Sequence, residues 1–272
     1  MPSTTEITAQ QLSRLIGLPA APAIVDVRTD EDYAKDPRLI PGSRRRDFHA
    51  VKAWAGDYRN RSVIVTCHRG LKLSQGVAAW MRHDGIEAQT LDGGFEAWKG
   101  AGQLLLRTEK LPPRDEHDRT VWVTRARPKV DRIACPWLIR RFVDPGAVFL
   151  FVAPSEVLPV AERFSATPFD IDGVFWSHRG ETCTFDTMIA EFGLRLESLS
   201  RLAAIVRGAD TAKLDLAPEA AGLLAASLGY SRMYRDDLAQ LDAALALYDA
   251  FYRWCRDATE ETHNWPSAKN PA

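Results

Sequence analysis

The sequence has no CxxC pair and only four cysteines, Cys67, Cys135, Cys183 and Cys255, in 272 residues. Their wide spacing gives no disulfide framework to read, so each thiol is judged alone. No apolar run approaches the roughly 20 residues that a membrane-spanning helix needs, which excludes insertion by such a helix. The opening residues, MPSTTEITAQQ, lack the basic and apolar regions of a signal peptide,. Free thiols and a cytoplasmic location are therefore expected. Excess charge is missing too: a formal net charge of -1 sets up no field toward nucleic acid or an anionic membrane,. There is no internal repeat and no low-complexity tract. What is present, 46% hydrophobic and 26% charged residues, suffices for one large or two modest cores,.

Strand and helix signals alternate along the first hundred residues. Thr8-Ala-Gln-Gln11 has the form of a capping box, opening a helix that carries Leu12, Leu15 and Ile16,. Ala23–Val27 and Ser62–Thr66 are short β-branched runs of the kind buried on both faces of a parallel sheet,. A helix follows with Val77, Trp80 and Met81 on one side and Gly85 at its end, and Glu87–Leu91 reads as another strand,. This order predicts an α/β fold with a parallel sheet flanked by helices. The charged stretch 108–119, with its Pro-Pro pair, reads as a linker,.

A second, mainly helical α+β domain is expected over 120–262, opening with a strand at Val121–Val123. A helix should start near Ala134, with Pro136 in its first turn. Thr184 can cap a helix through Phe192 that Gly193 closes, and Pro218 suits the start of another ending near Gly229. From about Arg235 to Asp257, Leu238, Leu241, Leu245, Tyr248, Tyr252 and Cys255 fall on one helix face, a core stripe in which Cys255 only packs,. Residues 263–272 read as a tail.

The most informative segment is Val63-Ile-Val-Thr-Cys67-His-Arg-Gly-Leu-Lys72-Leu-Ser74. A buried strand ends, a glycine-containing loop follows and a helix begins, so backbone N–H groups and a helix N-terminus gather around Cys67. With Arg69 and Lys72 they should stabilise a thiolate and lower the thiol pKa below its free value of about 8.5. Gly70 permits the tight turn.

This segment resembles a rhodanese domain, and the likeness extends over about 5–105. Asp26-Val-Arg28 with Glu31, Ile40-Pro-Gly-Ser43 and Leu91-Asp-Gly-Gly-Phe-Glu-Ala-Trp98 occur in the family's order around the cysteine. The resemblance implies that Cys67 accepts sulfane sulfur and passes it on from a persulfide. Arg28, His68, Arg69, Gly70, Leu71 and Lys72 would contact substrate. The run Cys67–Lys72 has the loop length of sulfur-transferring members; relatives acting on phosphate or arsenate tend to have one residue more. Leu73 stands where the family often has Ser or Thr, so a hydroxyl donor near the loop should be missing.

Two polar regions mark the second half. Arg127, Lys129 and Arg132 lie just before the helix expected near Ala134, where an anion could sit. His178, Cys183 and Asp186 lie within nine residues and could ligate a transition metal, with Asp210 or His263 arriving from elsewhere, although the spacing fits no standard zinc signature. Residues from about 120 to 258 resemble the C-terminal domain of the ChrB family of chromate-resistance proteins. The likeness rests on Trp122–Phe142, on His178 with Cys183-Thr-Phe, and on Ile205-Val-Arg-Gly-Ala-Asp210.

Together these imply a thiosulfate sulfurtransferase associated with chromate resistance, organised as 1–107, a linker at 108–119, and 120–262. Its partners would be a small-molecule sulfur donor and acceptor, and chromate itself, a tetrahedral dianion like thiosulfate. Nucleic acid is a weaker expectation, since no helix-turn-helix is evident. The competing reading is a chromate-responsive sensor that uses the same fold to bind an oxyanion.

Overall fold

Alternation along the buried strands decides how the first sheet is covered. In the computed structural model, which describes residues 5–262, Ile24 and Ile64 face one apolar cluster, while Val25, Val63 and Val65 face another. The strands are β1 (Glu6–Ile7), β2 (Ala23–Asp26), β3 (Ser43–Arg45), β4 (Val63–Thr66) and β5 (Ala88–Leu91). They pair in parallel in the order β1-β5-β4-β2-β3. Helices α1 (Ala9–Ser13), α2 (Asp30–Lys35), α3 (Val51–Trp54), α4 (Lys72–His83) and α5 (Gly94–Gly100) connect them. One face carries Trp54 of α3 and Val77 and Met81 of α4; the other carries Leu12 of α1 and Phe95 and Trp98 of α5.

Thr8 and Gln11 form the expected capping box. Trp80 departs from the expected buried stripe: it is 36% exposed and lies under the Lys52 ammonium.

The second half has a smaller parallel sheet in the order β7-β6-β8, from β6 (Val121–Arg125), β7 (Val148–Val152) and β8 (Thr167–Pro168). Around it run α6 (Val130–Leu138), α7 (Val157–Arg163), α8 (Thr184–Phe192), α9 (Glu197–Asp210), α10 (Ala220–Met233) and α11 (Asp237–Asp257). Helix α8 ends at Gly193 as expected, but Cys183 rather than Thr184 is its cap. Helix α11 buries Leu241, Tyr248, Tyr252 and Cys255, whereas Leu238 stays exposed. The tail beyond 262 lies outside the described residues.

Helix α6 corrects the expected start near Ala134. It begins four residues earlier, and Pro136 lies inside it. Gln240 Nε2 donates to Pro128 O at 2.7 Å and the Tyr248 hydroxyl to Val130 O at 2.8 Å, so α11 holds this early start. After the proline the helix widens into a π-turn over Ile139–Val143,.

The two halves share one core. Leu12, Ile16, Ile40 and Trp98 belong to the same cluster as Phe142, Phe192 and Tyr252. Backbone bonds cross between them, from Gly42 N to Phe142 O at 2.8 Å and from Arg107 N to Phe192 O at 3.0 Å. Arg44 also pairs with buried Asp144 at 2.9 Å. The stretch 108–119 is tied down as well, through Arg114 to Asp144 at 3.3 Å and Asp118 to Arg46 at 2.5 Å.

Candidate functional site

Strand β4 lies between β2 and β5 and delivers Cys67 to the C-terminal edge of the first sheet. There the chain turns through residues 67–71 into α4. The start of α5 clamps this turn: Phe95 N donates to Cys67 O at 2.9 Å and Glu96 N to His68 O at 3.0 Å. So close an approach needs glycine on both sides. A Cβ at Gly94 would stand 2.3 Å from Gly70 N and 2.4 Å from Cys67 O, and one at Gly70 2.8 Å from Gly94 N. Both also have positive φ, +61° and +68°,.

Cys67 is only 4% exposed, with its Sγ 3.2 Å from the Ser74 hydroxyl. Ser74 Oγ also donates to Leu71 O at 3.2 Å. A neutral thiol can donate to the Ser74 oxygen, whereas a thiolate can receive the Ser74 proton if the hydroxyl turns. The missing-hydroxyl expectation is thus corrected: the residue after Leu73 supplies the group, and Leu73 packs against the cluster around Val65. No backbone N–H from Arg69 to Leu73 has a protein acceptor among the described residues. Those donors remain for a ligand or water.

Around this cradle, Arg69, Leu71 and Lys72 are exposed and Gly70 is buried. His68 is partly buried, and its Nδ1 lies 3.8 Å from Glu96, beyond hydrogen-bonding distance,. Arg28 is not available to substrate, which corrects that expectation. Its guanidinium is buried, makes an ion pair of 2.6 Å with Asp26, and donates to Asp36 O and Arg38 O. It also lies 3.7 Å from the ring centroid of Phe95. It braces the residue that holds Cys67 O.

The basic segment of the second half is not a free anion site either. Arg127 donates to the carbonyls of Tyr234 and Ser231. Arg132 donates to Arg125 O and Ala126 O and pairs with Asp170 at 3.3 Å. Only Lys129 of the three is exposed without a partner among the described residues. Two of the three charges are spent on fixing the turn into α6.

The expected metal trio separates. Cys183 Sγ donates to Asp186 Oδ2 at 3.3 Å, and Asp186 Oδ1 accepts from Arg207 at 2.8 Å. Burial pushes the Cys183 thiol pKa far up, making the pair a helix cap that holds its proton. His178 turns elsewhere. Its Nε2 lies 3.2 Å from Asp210 Oδ2, 3.4 Å from Asp170 Oδ1 and 3.5 Å from Asp131 Oδ2. Asp131, which sequence reasoning missed, sits in the first turn of α6 and accepts from Thr184 N at 2.6 Å. Only its position inside the Trp122–Phe142 motif could have flagged it. Asp131, and to a lesser degree Asp170, raise the His178 pKa to about 10. Burial, together with Asp131 and Asp170, raises that of Asp210 to about 7. His263 lies outside the described residues.

A cysteine on a strand–loop–helix turn at the C-terminal edge of a parallel sheet, clamped by a Gly-Gly helix start, defines an α/β protein of the cysteine-loop class. The rhodanese-like domain family model matches residues 8–101, and the model for the C-terminal domain of ChrB matches 122–255. Thiosulfate sulfurtransferase GlpE of Stutzerimonas stutzeri (strain A1501) is 38% identical over 82 residues, 29% of this chain and 72% of that protein. Protein ChrB of Cupriavidus metallidurans is 35% identical over 145 residues. That match takes in 52% of this chain but spans only 43% of the relative. Among solved structures, a thiosulfate sulfurtransferase from Pseudomonas aeruginosa aligns at 27% identity and TM-score 0.35, covering 40% of this chain and 21% of that one. The chain belongs to the rhodanese-like family, and its second half is similar to the ChrB C-terminal domain.

Proposed function

We propose that the chain is a sulfurtransferase working through a persulfide on Cys67, in the context of chromate resistance. The observation that carries this reading is the placement of Cys67 Sγ beside the Ser74 hydroxyl, on a loop whose N–H groups from Arg69 to Leu73 have no protein acceptor among the described residues. The Cys67 thiolate attacks the sulfane sulfur of thiosulfate. A new S–S bond forms, the old one breaks, and sulfite leaves with its electron pair. A thiolate or cyanide then attacks the outer sulfur and regenerates the Cys67 thiolate. The loop from His68 to Lys72 would hold the donor, with the Arg69 and Lys72 charges opposing its two negative ones. The rhodanese-like domain match over residues 8–101 and the 38% identity to a thiosulfate sulfurtransferase over 82 residues support the same reading.

Mass spectrometry after thiosulfate treatment tests it. We expect one added sulfur atom on the wild-type chain, removed by cyanide, and none on Cys67→Ser. An unmodified wild-type protein would overturn the reading. Because chromate matches thiosulfate in shape and charge, it should also compete with thiosulfate for this loop. Sulfur loading unaffected by millimolar chromate would remove the proposed link.

A further inference from the structure

At the C-terminal edge of the second sheet, four side chains from separate parts of the chain converge. Asp131 comes from the first turn of α6, Asp170 from just beyond β8, His178 from the segment before α8, and Asp210 from the end of α9. Each of Asp131, Asp170 and His178 offers a ligand atom within 4.8 Å of the others.

The spacing leaves room for a cation larger than a proton. A single charged N–H···O bond is typically about 2.7–2.9 Å long. Here three carboxylates stand back at 3.2, 3.4 and 3.5 Å. Ligands held at about 2.0–2.2 Å around a tetrahedral ion are about 3.3–3.6 Å apart. The three separations from Nε2 lie close to that edge length, and the ligand atoms of Asp131 and Asp170 lie within 4.8 Å of each other.

A second observation comes from β6. Thr124 is fully buried, and its hydroxyl has no partner among the described residues. Strand alternation places it on the same face as Trp122, which packs on Phe169 and Trp176. The β6–β8 register pairs Val123 with Pro168 and Phe169 N donates to Val123 O, so Thr124 follows at the level where the chain leaves β8 toward Asp170. Buried hydroxyls are rarely left unpaired; a water carried by a bound ion is a partner of the right kind.

The surroundings hold the carboxylates in place. Asp131 accepts from Thr184 N and Phe185 N, and Asp170 from the Thr184 hydroxyl at 2.9 Å, a supporting shell of the sort metal ligands have. His178 is 42% exposed, leaving a way in.

We propose that Asp131, Asp170, His178 and Asp210 bind one first-row divalent transition-metal ion. Three carboxylates and one imidazole, with no thiolate, suit Mn²⁺, Fe²⁺, Co²⁺ or Zn²⁺ rather than Cu⁺. The imidazole disfavours Ca²⁺, which takes six to eight oxygen ligands.

The test uses the full chain without an affinity tag, in a Cys67→Ser background to remove the reactive thiol, and stripped by chelator. Calorimetric titration with Zn²⁺ and with Co²⁺, and the visible absorption of the Co²⁺ form, should show one equivalent bound. His178→Ala and Asp170→Asn should each weaken binding by at least roughly tenfold, while Cys183→Ala leaves it unchanged. Circular dichroism and melting verify folding, and Asp210→Asn replaces any variant that does not fold. No binding by the folded chain at millimolar metal overturns the proposal, and so does affinity that survives His178→Ala.

Discussion

Ser74 shows how much one hydroxyl can carry. Its Oγ lies 3.2 Å from Cys67 Sγ and can stabilise the ionised thiol by turning its proton toward it. Hydrogen bonds to charged groups contribute about 1.5–3 kcal/mol. Ser74→Ala is therefore expected to lower kcat/KM for thiosulfate by about ten- to a hundredfold, and Leu73→Ser to leave it unchanged; steady-state kinetics of both variants decides. Ser74 was legible only as part of the loop motif. The helical phase that aims it at the thiol, while Leu73 turns to the core, depends on where α4 starts. Asp36 makes a different residue-scale prediction. Hydrogen bonds from Arg38 hold its carboxyl down at about 2. A depressed carboxylate contributes stability above its unfolded value of about 3.8, and that contribution is lost as pH falls through about 2. The melting temperature of wild type should fall more steeply over that window than that of Asp36→Asn.

Among elements, the contact between the cysteine loop and the start of α5 has the least slack. Gly94→Ala would push a methyl into Cys67 O and Gly70 N, 2.4 and 2.3 Å away, at a positive φ. Strained backbone of this kind costs about 1–3 kcal/mol, and denaturant melts should show at least that loss together with slower sulfur loading. The Gly-Gly pair was visible in the sequence; the partner it presses on was not, since residues 67–70 and 93–94 are far apart in the chain. Helix α6 shows the opposite case. Pro136 was a fair sign of a helix start by local rules, because a proline there loses no bond. Burial of nearly the whole helix and its bonds to α11 outweigh that rule.

At the scale of the molecule, the shared core makes the two halves interdependent. Phe142 is fully buried and packs edge-on against Tyr252, in a cluster that includes Leu12 and Trp98 of the first half. Phe142→Ala should cost about 3–5 kcal/mol and lower the melting of both halves together. Calorimetry should show a single transition; two separate ones, with only the later half shifted, would count against this coupling.

The sequence by itself determined the parallel sheet, three of its five strands with the helix that follows the cysteine loop, and Cys67 as the thiol on the loop. These follow from local patterns: buried runs, turns and caps within a few residues of each other. Only the tertiary structure decided which charges are free and which are spent. Arg28 and Arg127 read as anion binders until their guanidinium groups are seen filled by neighbours. His178 read as a partner of nearby Cys183 until folding turned it toward Asp131, Asp170 and Asp210. The physical reason is range: a hydrogen bond or a ligand shell needs groups within a few ångströms in space, and spacing along the chain does not report that distance.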